Sequence, residues 1–119
     1  MKIAICAKTT DETGLVASRF ARSEFFIIYN SETLSFKAIV NPAKEEGSGA
    51  GGKAVKVLND NDVDIVLGPE VGPKAFEALK AFEIKAFNLG KSITVKDAIY
   101  SYYENKLIET VSANAKGHH

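Results

Sequence analysis

The chain has 119 residues, 45% of them hydrophobic, and its 15 Lys+Arg balance 15 Asp+Glu. A chain without net charge has no global field to attract nucleic acid or an anionic membrane, so neither is expected as a partner. It holds no run approaching about 18 apolar residues and no signal-peptide layout at its start, and Cys6 is its single cysteine. These features point to one cytoplasmic domain over residues 1–113, of a size that buries roughly two-thirds of its unfolded surface. Gly117-His118-His119 reads as a purification-tag remnant on a disordered tail, 114–119, and apart from that stub the chain has no histidine.

Ile3-Ala4-Ile5-Cys6-Ala7 is almost wholly apolar, as expected of a strand covered on both faces. A polar connection from Lys8 to Glu24 follows, long enough to be either functional or mobile. Phe25–Tyr29 is β-branched and aromatic, a second strand. Asn30–Thr33 turns tightly into a third, where Leu34, Phe36, Ala38 and Val40 alternate with polar residues and leave one face wet. Pro42 ends that strand, and a glycine-rich stretch runs to Gly52.

From Lys53 the spacing of Ala54, Val55 and Leu58 predicts a helix. Ile65–Leu67 is a short buried strand closed by Gly68-Pro69. Gly72-Pro73 opens a second helix with Ala75, Phe76, Leu79 and Phe82 as its buried stripe. Ile84–Phe87 predicts a last core strand. Thr94 and Asp97 have capping-box spacing ahead of a third helix, and Leu107–Val111 is expected to add a short extended tail. The order β-β-β-α-β-α-β-α implies a five-stranded mixed sheet with one antiparallel strand and helices on its faces, a ribonuclease H-like α/β fold.

In such a sheet the loops after strands one, three, four and five leave at the carboxyl edge, where ligands of open α/β sheets usually bind. Gly47 to Lys53 matches G-x-x-x-x-G-K, but Ala54 stands where a phosphate-binding loop needs the Ser or Thr that holds magnesium. A glycine cradle for an anion at a helix start, including Ser48, Gly49, Gly51 and Gly72, is the stronger reading against a merely flexible loop. Arg19 and Arg22 flank Phe20 and could clamp an anionic ligand; the alternative is a solvated turn with Phe20 in the core. Cys6 is a candidate thiolate ligand or a small core residue, and one cysteine cannot close an ordinary iron–sulfur cluster alone. Without native histidine or a paired-carboxylate site, general acid–base catalysis lacks its usual groups, so binding without turnover is expected.

Ser18-Arg19-Phe20-Ala21-Arg22, Gly49-Ala50-Gly51 at a helix start, Val71-Gly72-Pro73-Lys74-Ala75-Phe76 after an apolar strand, and Gly90 followed by Thr94–Ile99 stand in a suggestive order. In this order they resemble the dinitrogenase iron–molybdenum cofactor biosynthesis family, the NifX-like proteins and the C-terminal domain of NifB. The first stretch is similar to the family's S-x-[HR]-F-[GA]-R signature. The resemblance implies a non-catalytic carrier of an iron–sulfur or iron–molybdenum cluster, with a cluster donor or acceptor protein as partner. Such a cargo is expected at Arg19, Phe20, Arg22, Ser48, Gly49, Gly51 and Gly72, with Cys6 a candidate metal ligand. Arg19 and Ser48 stand where family members often offer histidine. The alternative is a protein-interaction or regulatory module of the same fold that has lost cluster binding.

Overall fold

The computed structural model describes residues 1–114. Strands β1 (Lys2–Ala7), β2 (Phe25–Asn30), β3 (Ser35–Val40), β4 (Ile65–Gly68) and β5 (Lys85–Asn88) form one sheet in the order β3-β2-β1-β4-β5. Helices α1 (Ala50–Asp60), α2 (Pro73–Ala81) and α3 (Val95–Tyr103) follow β3, β4 and β5. β1, β4 and β5 run parallel, while β2 is antiparallel to both β1 and β3. This is the mixed α/β architecture expected from the chain order.

The period-two alternation of β1 divides the core. Ala4 and Cys6 face the layer that holds Ala54, Val55 and Leu58 of α1 with Ala75 and Leu79 of α2. Ile3, Ile5 and Ala7 face the opposite layer, closed by Val95 and Ala98 of α3. Both faces of β1 are therefore apolar because both are covered. On the α3 side one helix cannot span five strands. Phe36 and Ala38 of the edge strand β3 are half-buried there, whereas Val40 stays 64% exposed. Leu34 lies outside the strand, in the turn at φ 57° and 71% exposed, so it does not join the alternating stripe. Phe82 likewise falls just beyond α2, mostly outside the stripe assigned to it, and is 42% exposed.

The long connection after β1 is tied down. Val16 bridges Ala7 and Leu15 bridges Thr94. The Lys8 N–H donates to Leu15 O at 2.9 Å, and the Ala17 N–H to Cys6 O at 2.8 Å. The expected extended tail pairs with β5: Asn88 N–H donates to Ile108 O at 2.9 Å and Thr110 N–H to Ala86 O at 2.8 Å. Asn114, the first residue assigned to a disordered tail, docks on the residue before Gly72. Its N–H donates to Val71 O at 3.0 Å, and its Oδ1 accepts from Val71 N–H at 2.6 Å. The rest of that tail, including the tag-like Gly117-His118-His119, lies outside the described residues.

Candidate functional site

Three connections meet at the carboxyl edge on the α1–α2 side: the Arg-containing turn after β1, the glycine loop after β3 and the Gly68–Gly72 turn after β4. Asn41, fully buried just before Pro42, joins the first two. Its Nδ2 donates to Ala21 O at 3.0 Å and Ser23 O at 2.9 Å, while its Oδ1 accepts from Ala43 N–H at 3.0 Å. The Arg22 guanidinium adds a second tie, donating to Lys44 O at 2.7 Å and Glu46 O at 2.5 Å. These carbonyls lie at the end of a short 3-10 turn, Pro42–Glu45, whose last acceptors a cation satisfies well. Lys53 in the first turn of α1 pairs with Glu46 and closes the loop on itself. That pair holds the Glu46 carboxyl below its ordinary value of 4.5.

The glycine loop delivers α1 against α2. A Cβ at Gly51 would stand 3.0 Å from Ala75 Cβ and 3.2 Å from its nitrogen, so only glycine lets the two first turns approach this closely. Gly49, the residue before α1, has φ +73° and Gly72 precedes α2; neither supplies a side-chain cap. The N–H groups of Ala50, Gly51, Gly52 and Lys74 consequently have no hydrogen-bond partner among the described residues. Helix α3 is the opposite case. Its first N–H groups donate to Gly14 O and Glu12 O, and a complete capping box joins Thr94 and Asp97 at 3.0 and 3.1 Å. One helix start is closed and two neighbouring ones are open. Unpartnered N–H groups and the positive dipole ends make the open pair suited to an anion.

Of the residues assigned to the site, Ser48 and Gly49 are exposed on the loop and Gly72 stands at the neck of α2. A Cβ at Gly47, Gly49, Gly52 or Gly72 would meet nothing within 4 Å, so this edge is open. Gly51 serves helix packing. Arg19 is exposed, and its side chain forms no hydrogen bond or ion pair among the described residues. Arg22 is engaged in holding the loop.

Phe20 and Cys6 lie behind the edge. Phe20 is 4% exposed and packs on Phe26 with ring centroids 6.3 Å apart. Cys6 is fully buried beneath it; burial pushes its thiol up to about 12, against a smaller opposing effect of the Ser23 hydroxyl. The parity of β1 turns the sulfur into the α1–α2 core instead of toward the edge. A Cβ at Gly68 would come 3.0 Å from that sulfur and 3.2 Å from the Phe20 ring, so Gly68 permits their packing. Among the described residues no three His, Cys, Asp or Glu side chains group as metal ligands.

Asn41, Ser23 and Gly68 are the positioning residues that sequence reasoning missed. Asn41-Pro42 carried a local signal, since Asn before Pro commonly starts a turn. Ser23, fully buried with its hydroxyl 2.8 Å from Phe20 O, carried none.

A family model described as dinitrogenase iron-molybdenum cofactor matches residues 1–105. The chain belongs to that family. The orange protein from Desulfovibrio gigas, solved in its apo form, superposes with a TM-score of 0.91 at 30% identity, covering 96% of each chain. A Thermotoga protein of the DUF35 family, described as a candidate NifB protein, gives 0.85 at 33% identity over 98% of each chain. PH0822 shares the fold, with a TM-score of 0.73 and 22% identity over 93% of this chain and 97% of its own. No curated protein sequence matches the chain.

Proposed function

We propose that this protein is a non-catalytic carrier that holds an anionic metal–sulfur cluster, of the iron–sulfur or iron–molybdenum type, at the carboxyl edge of its sheet. The observation that carries the reading is the pair of uncapped helix starts brought together at Gly51 and Ala75 in a member of this family. The cargo is gripped through its charge: the N–H groups of Ala50, Gly51, Gly52 and Lys74 donate, Arg19 supplies a free guanidinium, and Ser48 a hydroxyl. Gly49 and Gly72 keep side chains out of the way. A protonated, buried thiol is a poor metal ligand, so Cys6 packs the floor and leaves the cargo to the backbone donors. Glu46 is shifted down by its lysine partner, which suits a structural ion pair and not proton transfer near neutral pH. The partner follows from the role: a protein that donates or accepts the cluster.

Anaerobic incubation of tag-free protein tests this in two arms, iron with sulfide and thiomolybdate, the latter an anionic metal–sulfur species that needs no protein thiolate. Metal that co-elutes with the protein and absorbs in the visible supports the carrier. Arg19→Glu and Gly72→Asp should each weaken retention at least tenfold, while Cys6→Ala should leave it unchanged. Colourless protein in both arms overturns the reading. One observation favours a second reading, an interaction or regulatory module without cargo: Arg22 is already spent on the loop and Cys6 on the core. Colourless protein would bring that reading forward.

A further inference from the structure

A groove of about 500 Å³ lies on the α3 side of the sheet, bounded by the β5–α3 connection, α3 and the turn that follows it. None of the residues assigned to the cluster edge lines it. Core residues Leu89 and Leu107 supply apolar surface, and Tyr100 adds an exposed ring. Its polar lining includes Lys91, Ser92, Ser101 and Lys106.

Two observations mark it as more than a surface depression. First, Ser92 Oγ is, among the described residues, the one buried side-chain polar atom without a hydrogen-bond partner. Buried hydroxyls are normally paired, and an unpaired one at a groove points to a missing partner. Second, Lys91 and Lys106 bracket the groove without an ion pair among the described residues. The one carboxylate at the groove, Asp97, accepts from the Thr94 N–H in the capping box. The groove lining thus carries two lysines against one carboxylate that is already engaged.

The turns that carry these residues are ordered by their own hydrogen bonds. Gly90, at φ +59°, donates to Asn88 Oδ1 at 2.8 Å, and Ser92 N–H donates to Leu89 O at 3.0 Å. Lys106 N–H donates to Ser101 O at 2.9 Å, after Asn105 at φ +58°. Both lysines thus spring from fixed backbone on either side of α3.

We propose that this groove is a second binding site, for a small phosphomonoester with an apolar or aromatic body. Lys91 and Lys106 neutralise the phosphate as point charges, the Ser101 hydroxyl donates to its oxygens, the Ser92 hydroxyl joins it by rotating out of its buried position, and the body lies along Leu89, Leu107 and Tyr100. The volume lies within the usual range for small-ligand sites, about 300–1,000 Å³. Monoesters suit it better than carboxylates because their three terminal oxygens can use both ammonium groups and both hydroxyls. The site shares no lining residue with those assigned to the cluster edge.

The test is a titration of tag-free, full-length protein with phenyl phosphate at low ionic strength, followed by ¹H–¹⁵N amide shifts. Saturable shifts are expected at Gly90, Lys91, Ser92 and Lys106, with benzoate weaker and phenol without effect. Lys91→Ala/Lys106→Ala should raise Kd at least tenfold and Ser92→Ala about threefold. A charge-matched Lys80→Ala/Lys85→Ala control should leave Kd unchanged, and preserved amide dispersion shows that each variant folds. Shifts confined to residues 47–52 and 72–76, no saturable shift, or equal losses in the two double variants would overturn the proposal.

Discussion

Cys6 illustrates how one residue's role turns on which way a strand faces. Read along the chain it stands near the end of a strand that leads to the candidate site. In the folded protein the alternation of β1 sends its sulfur beneath Phe20 and against Gly68. Desolvation then favours the neutral thiol, raising it from 9.0 to about 12. Native protein should therefore resist a thiol reagent such as iodoacetamide at pH 8–9 and react fully once unfolded; rapid labelling of the native state would contradict this burial. The linkage has a sign. A raised acid pKa contributes fully below the unfolded value and is lost as pH climbs from about 9 toward 12, so stability should decline there, and Cys6→Ala should flatten that decline in denaturation midpoints. Arg22 is a second case: its residue type announced an anion clamp, but two backbone carbonyls 22 and 24 positions away claimed it. No local pattern records a contact made across that separation.

At the scale of elements, the three helices show what local signals encode. The Thr94–Asp97 capping box was legible because both partners sit within one turn, and the structure forms both of its hydrogen bonds. The open starts of α1 and α2 were legible only as glycine and proline near a helix beginning. Their convergence depends on Gly51 meeting Ala75, 24 positions along the chain. The two adjacent glycines of α1 should therefore respond in opposite directions. Gly51→Ala forces the helices apart and should destabilise by about 1–2 kcal/mol, overpacking outweighing the gain in helix propensity. Gly52→Ala meets open space and should stabilise by up to about 1 kcal/mol. Urea denaturation of the two variants measures both; similar shifts would mean that the first turns of α1 and α2 are not in contact.

For the whole molecule, the sheet order β3-β2-β1-β4-β5 decides which strands are sheltered. β1 and β4 are flanked by strands and buried along nearly their whole length, whereas β3 is an edge whose residues reach the surface. Native-state hydrogen exchange should find the amides of Ile3–Cys6 and Val66–Leu67 opening only with global unfolding. Those of β3 and of the 107–111 tail should open locally and at least tenfold faster. Uniform protection across the sheet would refute this ranking.

What the amino-acid order determined by itself was local: strands from apolar runs, helices from their spacing, turns from Gly, Pro and Asn, and the mixed topology that follows from counting crossovers. That was enough to recognise the family and to name one edge as the place to look for a site, because both depend on the succession of elements. Only the tertiary structure decided which side chains are free to act there. Phe20 and Cys6 pack inward, Arg22 and Asn41 tie two loops together, and Lys91, Ser92 and Lys106 gather at a groove from opposite ends of α3. The physical reason is that burial and hydrogen-bond partners arise from surfaces brought together across long separations, and a linear pattern carries no record of which surfaces will meet.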